Sequence, residues 1–311
     1  MIEVQNLVKK YGDFTALHGI SFKAKQGEIL GFLGPNGAGK TTTMRILTGF
    51  MPPTSGVAKV AGHDIFDESL AAREKIGYLP ETVPLYPDMT VQGYLEFMAE
   101  LRHVPNRKKR TQEVLALVGM EHRTKSLIRS ISKGMRQRVG LAQSLIHNPP
   151  VLILDEPTIG LDPAQVADLR SFIRDLRTQH TVMFSTHILS EAEQICDRVV
   201  IINRGQIVAQ GAPRELRSKL NLGSRIYVEA RGRADQKALA NTLSKVQGVK
   251  FAEPYQNGVV VNVKDNKDVR PALAAAIIEN GLELLELRPV AITLEEIFLE
   301  VTTALGAEED A

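Results

Sequence analysis

The chain has 311 residues, 43% hydrophobic and 24% charged, with a formal net charge of +2. That length suits about two domains with a sizeable buried core, and the ordinary composition excludes fibrous and disordered classes. Near-balanced charge gives no field that would point to nucleic acid, and the single cysteine, Cys196, excludes a disulfide framework or a multi-thiolate zinc site and fits a reducing cytoplasm.

The opening MIEVQNLVKKYG lacks the basic-then-apolar pattern of a secretory leader. No apolar run approaches the roughly 20 residues of a membrane helix. From the start to about residue 82, short apolar strands alternate with glycine turns, among them IEVQNL, GISFKA and EILGFLG. Between 89 and 147 the apolar spacing becomes three and four, as in VQGYLEFMAELRHV, which predicts amphipathic helices. Strands return at VLILD (151–155) and TVMFS (181–185), apolar on both faces as parallel strands covered by helices are. RVVIINRGQIVAQG predicts a hairpin turning at Arg204-Gly205. After a linker at 221–224, strand and helix patterns follow in the order β-α-β-β-α-β, that of a split βαβ, ferredoxin-like domain. LEEIFLEV predicts a last short amphipathic helix, and the tail GAEEDA is expected to lack structure.

GPNGAGKTT, residues 34–42, fits G-x-x-x-x-G-K-[ST] between a predicted strand and a predicted helix. Gly34, Gly37 and Gly39 let the backbone curl around one point, with Pro35, Asn36 and Ala38 completing the loop. The helix N-terminus adds its positive end there. Lys40 can reach the outer phosphates, while Thr41, followed by Thr42, can offer its hydroxyl to Mg²⁺. A nucleoside triphosphate is the expected ligand. VLILDEPT ends a strand in two acids. Alone, such a pair reads as solubility; below a phosphate loop, Asp155 is placed to hold Mg²⁺ through water and Glu156 to take a proton from an attacking water. In ISKGMRQR, Ser132 is a good N-cap with no Glu or Gln three residues later, so the cap, the first-turn amides and Gly134 are candidates to receive an anion.

GPNGAGKTT, ISKGMRQR, LILDEPT, GLDP (160–163) and STH (185–187) occur together in the order and approximate spacing of the ATP-binding subunits of ABC transporters, which residues 1–220 resemble. The resemblance implies a P-loop NTPase core of α/β class: a mixed sheet, an antiparallel N-terminal β-subdomain and a helical subdomain at about 89–147. A small α+β domain at 225–303 and a tail at 304–311 follow. It implies that two cassettes, as a homodimer or with a similar partner, close face to face on ATP and Mg²⁺. Lys40 of one would then share a nucleotide with Ser132 and Gly134 of the other. His187 would contact the γ-phosphate and help align Glu156, Asp162 would relay between sites, and Tyr11 would stack on adenine; a plain surface tyrosine is the alternative. The partner implied is a multi-spanning membrane permease, with the chain peripheral on the cytoplasmic side, and ITLEEIFLEVT resembles the ending of exporter subunits.

Two positions depart from the family pattern. The signature commonly reads Leu-Ser-Gly-Gly-Gln, where this chain has Ile-Ser-Lys-Gly-Met. Glu81 stands where the family usually has a glutamine that senses Mg²⁺ and the attacking water. A carboxylate oxygen is a hard ligand at least as good as an amide oxygen, so the expectation is that Glu81 keeps the sensing role, with the metal between it and the phosphates; an acid turned to solvent is the alternative. The loop TVPLYPDMT after it either exposes apolar residues to a partner or covers the helical subdomain's own core. RKKR (107–110) is expected to be a solvated face, and the scattered histidines form no metal site. The leading expectation is an ATPase subunit driving a separate permease, most simply an exporter. The alternative is a soluble ATPase of the same superfamily acting on nucleic acid or ribosomes, whose relatives usually carry coiled-coil or zinc insertions or two cassettes. A non-hydrolysing regulator would be favoured by loss of Glu156 or His187, and both are present.

Overall fold

The computed structural model describes residues 1–219, 225–232, 235–264, 268–290, 295, 296 and 298. The linker 221–224, the tail 304–311 and most of the last short helix lie outside the described residues. Two compact units divide the chain, one from Met1 to Pro213 and a second beginning at Arg214.

The first unit opens with β1 (Ile2–Tyr11), β2 (Phe14–Ala24) and β3 (Ile29–Leu33), followed by α1 (Lys40–Leu47), β4 (Ser55–Val60), β5 (His63–Asp64), α2 (Ser69–Glu74) and β6 (Ile76–Leu79). Three helices come next, α3 (Val91–Leu101), α4 (Arg107–Leu117) and α5 (Lys133–Leu145). The unit continues with β7 (Val151–Asp155), α6 (Pro163–Leu176), β8 (Thr181–Thr186), α7 (Leu189–Ile195), β9 (Arg198–Asn203) and β10 (Gln206–Gly211), and α8 (Pro213–Lys219) spans the division.

An antiparallel sheet of order β2-β1-β4-β5 and a six-stranded sheet of order β10-β9-β3-β8-β7-β6 make up the first unit. The central strands β9, β3, β8, β7 and β6 pair in parallel. Successive side chains of a strand point to opposite faces, and both faces here are covered: Val151 and Ile153 enter one core with the antiparallel sheet and α1, while Leu152 and Leu154 enter another with α3 to α6. The edge hairpin β9–β10 turns at Arg204 and Gly205, both at positive φ (45° and 74°), as a tight two-residue loop requires.

The loop after Glu81 divides its residues. Val83 and Leu85 pack onto the helical core, whereas Tyr86 remains 52% exposed with its ring against Tyr94 and Phe97. The basic run 107–110 is not wholly a solvated face: Arg110 is half-buried and donates to the Leu145 and Ile146 carbonyls at the end of α5. Those carbonyls have no partner within the helix, so a guanidinium is drawn to them.

In the second unit, β11 (Arg225–Arg231), α9 (Gln236–Ser244), β12 (Val249–Tyr255), β13 (Gly258–Val263), α10 (Arg270–Glu279) and β14 (Glu283–Val290) follow in turn. Its antiparallel sheet has the order β12-β13-β11-β14, the split βαβ arrangement. Ile226, Val228, Val259, Val261 and Val263 form its core with Leu239, Leu243, Leu273 and Ile277 of α9 and α10.

Candidate active site

The phosphate-type loop is built by sterics before it is built by charge. All five residues of β3 are buried, and the chain leaves them through a turn with Gly37 at φ +80° and Gly39 at φ +107°. A Cβ at Gly34 would stand 2.2 Å from the Ile202 carbonyl oxygen, and one at Gly39 would stand 2.7 Å from Leu17 Cδ2. Only glycine fits these positions, and its use there brings the backbone into the open cleft. α1 starts at Lys40, aiming its free amides at the same point. Lys40 is 6% exposed; its Nζ donates to the Gly34 and Pro35 carbonyls at 2.8 and 3.2 Å and stands 3.4 Å from Glu156 Oε1.

The adjacent ends of β7 and β8 supply the acids. Asp155 pairs in register with Ser185, whose hydroxyl donates to Asp155 Oδ1 at 2.6 Å and accepts the Glu156 N–H at 2.9 Å. Burial pushes the Asp155 carboxyl above its ordinary range, against the opposing hydrogen bonds from Ser185 and Thr41. Glu156 sits at φ +48°, a left-handed conformation that costs a side-chain-bearing residue about 1 to 3 kcal/mol. Its Oε2 is 2.9 Å from His187 Nδ1, so one carboxylate faces an ammonium on one side and an imidazole on the other.

Lys40, Glu156 and His187 line a cleft of about 630 Å³ together with Tyr11, Asn36, Thr41, Thr42 and Glu81, whereas Asp155 and Ser185, 1% and 0% exposed, are not in its lining. Phe14, not singled out from the sequence, also lines it: it pairs with Tyr11 across the β1–β2 turn and is 65% exposed. Its signal was an aromatic three residues from Tyr11 in a strand pattern. Ile159, also in the lining, was missed, as was Ser185, which holds Asp155 and opens the STH motif.

Ser132, Gly134 and Asp162 do not line the cleft. They gather elsewhere on the same unit. Ser132 caps α5 by accepting the Met135 N–H at 3.2 Å, and Asp162 caps α6 by accepting the Gln165 N–H at 2.9 Å. The Gln165 side chain lies against Gly134, where a Cβ would come within 2.3 Å of its Oε1, and the Lys133 side chain lies along Gly160. Among the described residues no group of three His, Cys, Asp or Glu side chains is arranged to hold a metal by itself. Thr41, Glu156 and Glu81 bring oxygens to the cleft, and buried Asp155 is hydrogen-bonded to Thr41; all are hard donors, which is the set that suits Mg²⁺ alongside phosphate ligands.

A buried strand, a glycine loop and a helix, with an acid-tipped parallel strand nearby, define a P-loop nucleotide-binding fold. The ABC transporter family profile matches residues 17–159, and that of the C-terminal domain of DrrA1-3-like ATP-binding proteins matches residues 211–302. The chain is 35% identical to the linearmycin resistance ATP-binding protein LnrL of Bacillus subtilis (strain 168), over 97% of this chain and 98% of that one. It is also 35% identical to the bacitracin transport ATP-binding protein BcrA of Bacillus licheniformis, over 97% of each. The dimeric post-hydrolysis structure of the ATP-binding cassette MJ0796 bound to ADP and Pi superposes with a TM-score of 0.63 at 26% identity, covering 68% of this chain and 98% of that one. The chain belongs to the ATP-binding subunits of ABC transporters. No described helix is long and apolar enough to cross a membrane.

Proposed function

We propose that the protein is an Mg²⁺-dependent ATPase that dimerises on ATP and drives export through a separate membrane permease, on whose cytoplasmic side it sits. The observation that carries this reading is the Lys40–Glu156–His187 group at the mouth of the glycine loop. Residues 1–220 form the ATPase domain and residues 225–303 an accessory domain. The loop amides and Lys40 hold the β- and γ-phosphates, and Tyr11 lies under the adenine. Thr41, Asp155 and Glu81 would hold Mg²⁺, which when bound neutralises phosphate charge.

Glu156 accepts a proton from water as its oxygen bonds to the γ-phosphorus, and the bond from that phosphorus to the β–γ bridging oxygen breaks to leave ADP and phosphate. His187, hydrogen-bonded through Nδ1 to Glu156, keeps the carboxylate turned toward that water and presents Nε2 to the γ-phosphate, to which it donates when the ring carries both protons. In the closed dimer Ser132 and Gly134 of each copy complete the other's site and Asp162 relays between the two. The resistance role in the name of LnrL supports the export direction, and the transport role in that of BcrA supports a transporter.

The test is a pull-down from native membranes with tagged Glu156→Gln, with and without Mg·ATP. Recovery of a multi-spanning membrane protein in stoichiometric amount is the expected result. Recovery of ribosomes or nucleic acid instead would replace this reading with that of a soluble ATPase.

A further inference from the structure

A buried acid with no place in the motifs lies against the segments that follow Glu156 and precede His187. Glu191, in the first turn of α7, is 5% exposed. Its Oε2 accepts the Thr158 hydroxyl at 2.9 Å and the Thr186 hydroxyl at 3.4 Å. Thr186 Oγ1 in turn accepts the Ile188 N–H at 3.0 Å. Both threonines are buried, at 5% and 0% exposure. A charged oxygen is held in the interior only where donors meet it, and these are the donors.

The two threonines are not equivalent parts of one element. Thr158 lies two residues after Glu156, on the segment leaving β7; Thr186 ends β8 and immediately precedes His187. Glu156 and His187 approach each other to 2.9 Å across the same two segments. Ser185 ties the strand ends together at Asp155 and at the Glu156 N–H. Without a second tie, the segment beyond Glu156, which leaves a left-handed backbone conformation, could shift relative to the one carrying His187. We propose that Glu191 is a positioning residue for the hydrolytic step: by clamping Thr158 to Thr186 it sets the spacing of Glu156 and His187. It acts through them and does not itself touch the nucleotide. The inference rests on the ATPase reading above.

A misplacement of about 1 Å at reacting groups is worth up to about a hundredfold in rate. ATP turnover by the full chain, followed against ATP concentration, is therefore expected to fall about thirtyfold in kcat for Glu191→Ala, with the affinity for a fluorescent ATP analogue held within about twofold. Glu191→Gln, whose amide oxygen still accepts both hydroxyls, is expected to restore most of that loss. In a His187→Ala background the same Glu191→Ala change is expected to cost less than about threefold, because the spacing it sets no longer serves a partner. Thr158→Val, which removes one donor at near-constant volume, is expected to lower kcat about fivefold at unchanged affinity, and it decides the matter should Glu191→Ala not fold.

An unchanged kcat in Glu191→Ala or Thr158→Val, with wild-type turnover intact, overturns the positioning role alone. So does a loss that is fully additive with His187→Ala, or that falls equally on affinity and melting temperature. A wild-type chain that turns over no ATP overturns the ATPase reading itself, and this inference with it.

Discussion

The two central sheets of this molecule use the same strand vocabulary for different ends. In the first unit, the tips of β3, β7 and β8 lead into Lys40, Asp155, Glu156 and His187, and the first three of these are nearly inaccessible to solvent. In the second unit, valines alternate inward along β13, and the only buried polar side chain among its described residues is Asn262. Charges are excluded from interiors unless donors or counter-ions meet them. Sequestered charge at strand ends thus separates the described residues of the first unit from those of the second.

Lys40→Ala gives the largest effect and tests the first half of that contrast. It removes the cation from the glycine loop and leaves Glu156 without its ammonium, so nucleotide affinity is expected to fall on the order of a hundredfold or more in a direct binding titration. Retained affinity would break the contrast. Leu273→Ala tests the second half. The side chain is fully buried between α10 and the C-terminal sheet, and its truncation is expected to destabilise that unit by about 2 to 5 kcal/mol in urea melts. Nucleotide affinity should not change; a parallel loss would show that the second unit shares in the chemistry.

Glu81→Gln sharpens the comparison at a smaller scale. Removing one negative charge from the cleft is worth about 1 kcal/mol at partly screened distances, so the Mg²⁺ concentration for half-maximal ATP hydrolysis is expected to rise about fivefold. An unchanged Mg²⁺ dependence would remove Glu81 from the metal's shell.

The last effect, which appears only on acidification, concerns His147, whose Nε2 donates to the Ile76 carbonyl at 3.0 Å. Burial, aided by the nearby Arg102, pushes its pKa down to about 4. An unfolded histidine binds its proton near 6.5, so between about pH 6.5 and 4 the unfolded chain holds more protons than the folded one. Stability therefore falls as pH drops through that window, by at most about 1.4 kcal/mol per pH unit, and this contribution is flat above it. Urea melts of His147→Gln should show a shallower fall over the same range than the unmutated chain.

What could be read in advance depended on how far apart the interacting residues stand in the chain. The glycine loop is contiguous, so sterics and spacing reveal it in nine letters. Asp155 and Glu156 are likewise adjacent, and the C-terminal topology was legible in the order strand, helix, strand, strand, helix, strand. Ser185, by contrast, meets Asp155 across 30 residues and Thr158 meets Glu191 across 33. Those meetings are created by the parallel register of β7 with β8, which no local pattern carries. Arg110 was missed for a related reason: a basic run at a helix start looks solvated until another helix ends beside it. The loop after Glu81 divided between core cover and surface because its four apolar residues alternate in direction, a detail of backbone path.

The left-handed backbone at Glu156 has an evolutionary reading. Glycine and asparagine enter that conformation at less cost than glutamate, so selection for folding alone favours replacing the proposed proton acceptor. Under the proposed function, it is turnover that holds a glutamate there. In a lineage of paired cassettes where one site has ceased to work, this position should be among the first to drift toward those residues, and the drifted chain should be the more thermostable of the two.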